Sequence, residues 1–79
     1  MTTSPHTIEF ELRNEYVELC NLLKLVGLAD SGGRGKVMVA EGLAKVDGVL
    51  ETRKTAKIRA GQIVESCDTH IHVVSPISS

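Results

Sequence analysis

Aromatic residues are scarce in this sequence. Its 79 residues include one tyrosine, one phenylalanine and no tryptophan. Proteins that read single-stranded RNA by stacking bases on a sheet need several such rings. Phe10 and Tyr16 cannot supply that platform, so this mode of recognition is disfavoured, and the core has to be built from Leu, Val, Ile and Ala.

Cysteines and long apolar runs are also few. Cys20 and Cys67 form no C-x-x-C motif, and Cys20 falls on an apolar helical face, so we interpret both as reduced thiols of a cytosolic protein. No apolar stretch approaches the roughly 20 residues of a membrane span, and the polar N-terminus shows no signal peptide. We therefore expect a soluble, cytoplasmic protein of one small domain.

Positive charge is concentrated in the middle of the chain. Residues 34–59 hold seven cations and three anions, whereas residues 1–33 hold two cations and five anions, and residues 60–79 hold two anions. The net charge of −1 argues against a general polycation. This distribution favours a neutral protein with one basic face, and a mixed solvated surface is the alternative.

The first third of the chain predicts a strand followed by a helix. TIEFEL, residues 7–12, alternates apolar and polar residues as a half-buried strand does. NEYVELCNLLKLVG then changes to a helical period. We predict Asn14 as the N-cap, Glu15 and Glu18 in the first turn, and Gly27 at the C-terminal cap.

A second helix is predicted from Ser31, or from Asp30, as its cap through residues 32–41, with Gly42 ending it. Its three glycines each cost roughly 1 kcal/mol relative to alanine. Close approach of the backbone to another helix or to a ligand is the usual reason for such glycines.

Strands make up the rest of the chain. Asp47-Gly48 predicts a type I′ hairpin turn, residues 52–61 form a basic connector, and QIVES and HIHVV read as two strands joined near residues 67–69. The order of elements predicts a small α+β domain.

The stretch SGGRGK, residues 31–36, has the composition of a phosphate-binding loop. It fails as a nucleotide-binding Walker loop because Asp30 stands at the first glycine position and Val37 at the magnesium-binding hydroxyl position. A helix N-terminus with Arg34 and Lys36 nearby suits one backbone phosphate of a nucleic acid. The alternative is a tight helix–helix packing turn with incidental cations.

The spacing of the middle region resembles the αL RNA-binding motif of the small-subunit ribosomal protein S-four. The matching positions are Ser31, Lys36, Val39, Gly42, Val46, Asp47, Gly48, Gly61, Gln62 and Val64. The stretches VELCNLLKLVGLADSG, AEGLAKVDGVLETRK and IRAGQIV are similar to the stand-alone YbcJ-like family of bacterial proteins, in which this motif is nearly the whole chain.

The resemblance implies an α+β fold in which a two-helix hairpin packs on a small β-sheet with a β-hairpin, preceded by a short N-terminal strand. The domain would span residues 7–75, between flexible ends at 1–6 and 76–79. Two departures are expected to lower affinity: Gly35 replaces the usual alanine and loosens the helix, and Asp47 replaces an asparagine and adds an anion.

The implied function is non-catalytic binding of structured RNA, including ribosomal RNA, by a ribosome-associated monomer that needs no cofactor or metal. Lys36 matches the basic helix position of the family. The candidate RNA-binding residues are Lys36, Arg34, Lys24, Lys45, Arg53, Lys54 and Lys57. We interpret Arg13 and Arg59 as solvated surface residues.

The sequence admits two other interpretations. Cys67, His70 and His72 could suggest zinc, but their spacing is not that of a structural zinc site, and exposed strand histidines are favoured. The alternative function is a protein–protein interaction module on the same fold, using an apolar helix or a sheet edge.

Overall fold

A computed structural model describes residues 6–75 of the chain. Within this range the elements are β1 (His6–Glu11), β2 (Val17–Glu18), α1 (Leu19–Leu25), α2 (Gly32–Ala40), β3 (Lys45–Val46), β4 (Val49–Leu50), β5 (Lys57–Ile58), β6 (Ile63–Ser66) and β7 (Thr69–Val74). Neither helix of the described range could cross a membrane. The predicted flexible ends lie outside the described residues, except that His6 already belongs to β1.

Five strands form the main sheet, in the order β1-β7-β6-β3-β4. β1 runs parallel to β7, and the other neighbours are antiparallel. Alternation places Val64 and Ile71 on the buried face, where Leu19, Leu22 and the rest of the helical core cover them. The predicted α+β arrangement of two helices on a small sheet is confirmed.

Two tight turns connect the hairpins of this sheet. Asp47 and Gly48 have φ of 53° and 82°, as the predicted type I′ turn requires. Asp47 is also tied to β6, because its N–H donates to the Ile63 carbonyl at 2.7 Å and its carboxylate accepts the Ile63 N–H at 3.0 Å. Cys67 and Asp68 turn between β6 and β7 with φ of 52° and 58°, without a glycine.

The second helix begins and ends where the sequence predicts. Ser31 is its N-cap, and the Ser31 hydroxyl accepts a hydrogen bond from the Arg34 N–H at 3.1 Å. Gly42, at φ 79°, follows the helix in the left-handed conformation that only glycine adopts without strain.

The predicted start of the first helix is wrong by about one turn. Asn14 does not cap it: α1 begins at Leu19, and its N-cap Glu18 makes no side-chain cap hydrogen bond. The preceding residues form β2 instead, in which Val17 pairs with Ile58. Because the connector carbonyls accept the first N–H groups of the helix, tertiary contacts replace the side-chain cap.

Gly35, which the family pattern expects to loosen the helix, is a close contact point between the two helices. It is buried against α1, and a Cβ atom there would lie 3.1 Å from the carbonyl carbon and 3.3 Å from the Cα of Cys20, and closer still to the Cys20 oxygen. The predicted close backbone approach is therefore found at Gly35. A Cβ at Gly32 would meet nothing within 4 Å, and one at Gly33 only the Ser31 hydroxyl at 3.9 Å.

We expect Gly35→Ala to destabilise the protein by about 1–3 kcal/mol, because the added methyl group would force the two helix backbones apart. Gly33→Ala is the matched control, and it should stabilise by about 0.5–1 kcal/mol through helix propensity alone. Urea unfolding of both variants measures the difference. Equal stability of the two would contradict the backbone contact.

At the hairpin, Asp47→Ala should cost about 1–2 kcal/mol, because it removes a hydrogen bond and places alanine in a left-handed conformation. Asp47→Asn keeps the acceptor and tolerates that conformation, so it should stay within about 0.5 kcal/mol of the parent. Thermal unfolding would show whether the two variants differ as expected; an asparagine variant as unstable as the alanine variant would exclude this role for the side chain.

Candidate nucleic-acid interface

Three segments meet at the first turn of α1. The Leu19 N–H donates to the Ala56 carbonyl at 2.9 Å, and the Cys20 N–H donates to the Lys54 carbonyl at 3.1 Å. The carbonyl group of Cys20 contacts Gly35 of α2. The basic connector, residues 52–61, is thereby held beside the glycine-rich start of the second helix.

Two cations of α2 lie on either side of this contact. Gly35 faces α1, and neighbouring helix positions point about 100° away on each side. Arg34 and Lys36 are both exposed and therefore flank the line along which the helices meet. Lys24 is exposed in the last turn of α1, four residues after Cys20.

The connector adds further cations along the same edge. Lys54 is exposed next to the α1 N-terminus. Beyond it, β5 pairs with β2, and the side chains of Lys57 and Arg59 lie over the Tyr16 ring, with the Lys57 Nζ 5.1 Å and the Arg59 Cζ 5.9 Å from its centroid. Arg59, interpreted from the sequence as a solvated residue, thus belongs to this group.

Arg53 is held differently. Its guanidinium makes an ion pair with Glu51, with Nε 3.1 Å from Oε2, and its backbone N–H donates to the same oxygen at 3.0 Å. The side-chain hydrogen bond from Arg53 is the main cause that lowers the pKa of the Glu51 carboxyl below its ordinary value. Arg53 is therefore paired with a carboxylate, unlike the other cations of the connector within the described range.

Lys45 is separated from the other candidates. It lies on β3 between its cross-strand partners Leu50 and Glu65, on the sheet face opposite the buried Val64 and Ile71. Directly opposed residues share a face, so the nearest charge to Lys45 across the strands is the Glu65 carboxylate rather than a cation.

We call the cations of α1, α2 and the connector that make no ion pair among residues 6–75 the basic ribbon. Its members are Lys24, Arg34, Lys36, Lys54, Lys57 and Arg59. All six are exposed. None of them makes an ion pair within 4.0 Å with another residue of the range 6–75.

An acidic groove borders the ribbon. It runs between the end of β1, the segment that follows it and the exposed side of α1. Its carboxylates belong to Glu9, Glu11, Glu15 and Glu18, and Arg13 is the cation among its described lining residues. Tyr16 lines this groove as well, so the groove lies directly beside the Lys57 and Arg59 side chains of the ribbon.

The histidines and cysteines of the described range do not form a metal site. His70 is half-buried rather than exposed, with its Nε2 3.7 Å from Glu65 Oε1. Cys20 is buried and Cys67 exposed, and both are free thiols. The described part of the chain contains no cluster of three residues able to hold a metal ion.

Sequence reasoning missed Tyr16 and Arg59 because it assigned the first to a helix and the second to an irregular connector. A signal was present: Tyr16-Val17-Glu18 and Lys57-Ile58-Arg59 each alternate around one apolar residue. Pairing the two apolar residues would have predicted that the flanking side chains share the outer surface.

Comparison with known proteins places this geometry in a family. The sequence model of the S4 domain family matches residues 10–74 of this chain. YbcJ of Escherichia coli strain K12, named as a candidate RNA-binding protein, is 49% identical over 63 residues, which cover 80% of this chain and 90% of that protein. An uncharacterised YbcJ of Shigella flexneri matches to the same extent.

A solved structure supports the same relationship. The solution structure of E. coli YbcJ, described as revealing an αL motif involved in RNA binding, superposes with a TM-score of 0.65 at 45% identity. The match covers 94% of this chain and 91% of that one. The resemblance inferred from the sequence is confirmed: the chain belongs to the S4 domain family.

Proposed function

We propose that this protein is a non-catalytic RNA-binding module that recognises structured RNA, ribosomal RNA included, through the phosphate backbone. The observation that carries the proposal is the contact of the basic connector and of the glycine-rich start of α2 with the same turn of α1. Six exposed cations without ion-pair partners among the described residues form an anion-binding surface on a chain of net charge −1. The relatives described as RNA-binding support it.

The start of α2 offers a specific place for one phosphate. The Ser31 hydroxyl accepts a hydrogen bond from the Arg34 N–H. A Cβ atom at Gly32 would meet nothing within 4 Å, and one at Gly33 would meet only the Ser31 hydroxyl at 3.9 Å. Backbone N–H groups at a helix N-terminus bind anions, and the helix dipole adds to the attraction. Arg34 and Lys36 flank this position.

The composition of the ribbon suits recognition by shape. Lysine and arginine contact phosphates without reading base identity. A-form RNA presents phosphates and 2′-hydroxyls across a wide minor groove, and proteins recognise such helices mainly by shape. Scarce aromatic rings disfavour the competing mode, stacking on unpaired bases.

A protein–protein interaction module remains the second candidate, and one observation favours it. Leu43, Val49 and Leu50 are exposed by 45%, 69% and 55%, around the edge strand β4. Exposed apolar groups next to an open sheet edge can bind a partner chain. Pull-downs from cell extract would separate the two: partners that survive RNase treatment favour the interaction module.

Lys36→Gln should weaken binding to a fluorescein-labelled RNA stem-loop by about tenfold, because one charge-assisted phosphate contact is lost. Lys45→Gln makes the same chemical change on β3, outside the ribbon, and it should leave the affinity within about twofold of the parent. Fluorescence anisotropy at low salt measures both. If the two substitutions weakened binding equally, the ribbon would not be the RNA-binding surface.

Binding should also depend steeply on salt. About six phosphate contacts would reduce affinity on the order of 10³ between 50 and 200 mM monovalent salt, by the relation for duplex DNA. Each ribbon cation removed should lower the slope of log K against log salt by about one. A flat salt response would exclude phosphate contacts as the main source of affinity.

A further inference from the structure

Tyr16, the single tyrosine of the chain, contacts two cations of the ribbon. The Lys57 Nζ lies 5.1 Å and the Arg59 Cζ 5.9 Å from the centroid of its ring. Both distances fall within the range of cation–π attraction. Tyr16 is also half-buried, so its ring is a more fixed partner than a fully exposed side chain would be.

The short ladder between β2 and β5 explains this arrangement. Val17 pairs with Ile58, and both are buried. Since successive residues of a strand point to opposite faces, Tyr16, Lys57 and Arg59 all project from the outer face. Two buried apolar residues thus fix the register that brings the ring beneath the two cations.

A neutral ring holds a cation without cancelling its charge. Arg53 shows the contrasting case, because the Glu51 carboxylate that positions it also compensates it. Glu18 lies opposite Lys57 in the ladder, yet the two make no ion pair within the described range. Within the described range Lys57 and Arg59 are therefore not paired with a carboxylate as Arg53 is, and the ring limits the positions that they adopt.

We propose that Tyr16, Lys57 and Arg59 form a second phosphate-binding point for RNA, at the opposite end of the basic ribbon from α2. Lys57 and Arg59 contact the phosphate, and Tyr16 is a positioning residue that acts through them. The π face of Tyr16 is engaged by the cations, so the ring does not serve as a platform for a base. This inference rests on the proposed function and adds a residue, Arg59, and a role, that of Tyr16.

The test compares variants that keep or remove the ring. Tyr16→Leu should weaken binding of the labelled stem-loop about three- to fivefold, as the loss of a modest cation–π contribution predicts, and Tyr16→Phe should restore binding to within about twofold of the parent. Arg59→Gln and Lys57→Gln should each weaken binding and lower the salt slope by about one.

A double-mutant cycle identifies the positioning role. In a background that carries both Lys57→Gln and Arg59→Gln, Tyr16→Leu should have no further effect on affinity. If Tyr16 had a merely structural role, or if its ring stacked directly on a base, Tyr16→Leu would weaken binding in this background as much as in the parent. That result would overturn the inference. Circular dichroism of each variant checks folding. If Tyr16→Leu does not fold, the affinities of Lys57→Gln and Arg59→Gln test whether these two cations contact the RNA.

NMR tests the contact itself, because the chain has a single set of tyrosine ring signals. In the free protein the Lys57 side-chain protons should show an upfield ring-current shift that Tyr16→Leu removes, and the RNA stem-loop should move these signals. If Lys36→Gln weakens binding while Tyr16→Leu, Lys57→Gln and Arg59→Gln do not, this inference fails and the proposed function stands. If the parent itself does not bind the stem-loop at low salt, the proposed function fails first.

Discussion

The backbone of Cys20 is the point on which the rest of the structure depends. Its N–H is bound by the connector carbonyl of Lys54, and its carbonyl side is in contact with Gly35. One helical turn therefore fixes both the start of α1 and the positions of two segments that are distant in the sequence. A helix as short as α1, Leu19–Leu25, would be marginal by itself. Its stability comes from tertiary partners, and the same partners carry the cations.

This arrangement separates the charges of a nearly neutral chain. The helix start and the connector that carry most of the cations contact the first turn of α1, whereas the glutamates of β1 and of the segment after it line the neighbouring groove. Tyr16 and Glu18 lie at the boundary between the two. A polyanion approaching such a molecule is attracted to one side and repelled from the other, so long-range electrostatics orient it before any specific contact forms.

Much of the fold could be predicted from the sequence, because local signals specify it. The Ser31 cap, the Asp47-Gly48 turn and the glycine after α2 act within a few residues, and all were found where expected. The start of α1 could not be predicted, since carbonyls more than thirty residues away cap it. The family was predictable because the motif spacing is long and specific. The grouping of the cations could be predicted only in part. Lys45 and Lys36 look alike in the sequence, but strand pairing places Lys45 beside Glu65, on the sheet face opposite the buried Val64.

The parallel pairing of β1 with β7 has a consequence for the order of folding. Its register joins His6 to Thr69 and Glu11 to Val74, almost the full length of the described chain apart. Contacts between such distant residues slow folding, because a long loop has to close before they form. During synthesis on the ribosome, β1 has no native partner until the last strand has left the exit tunnel. The contact between α1 and α2 and the pairing of β3 with β4 join residues much closer in the sequence, so they require shorter loops to close.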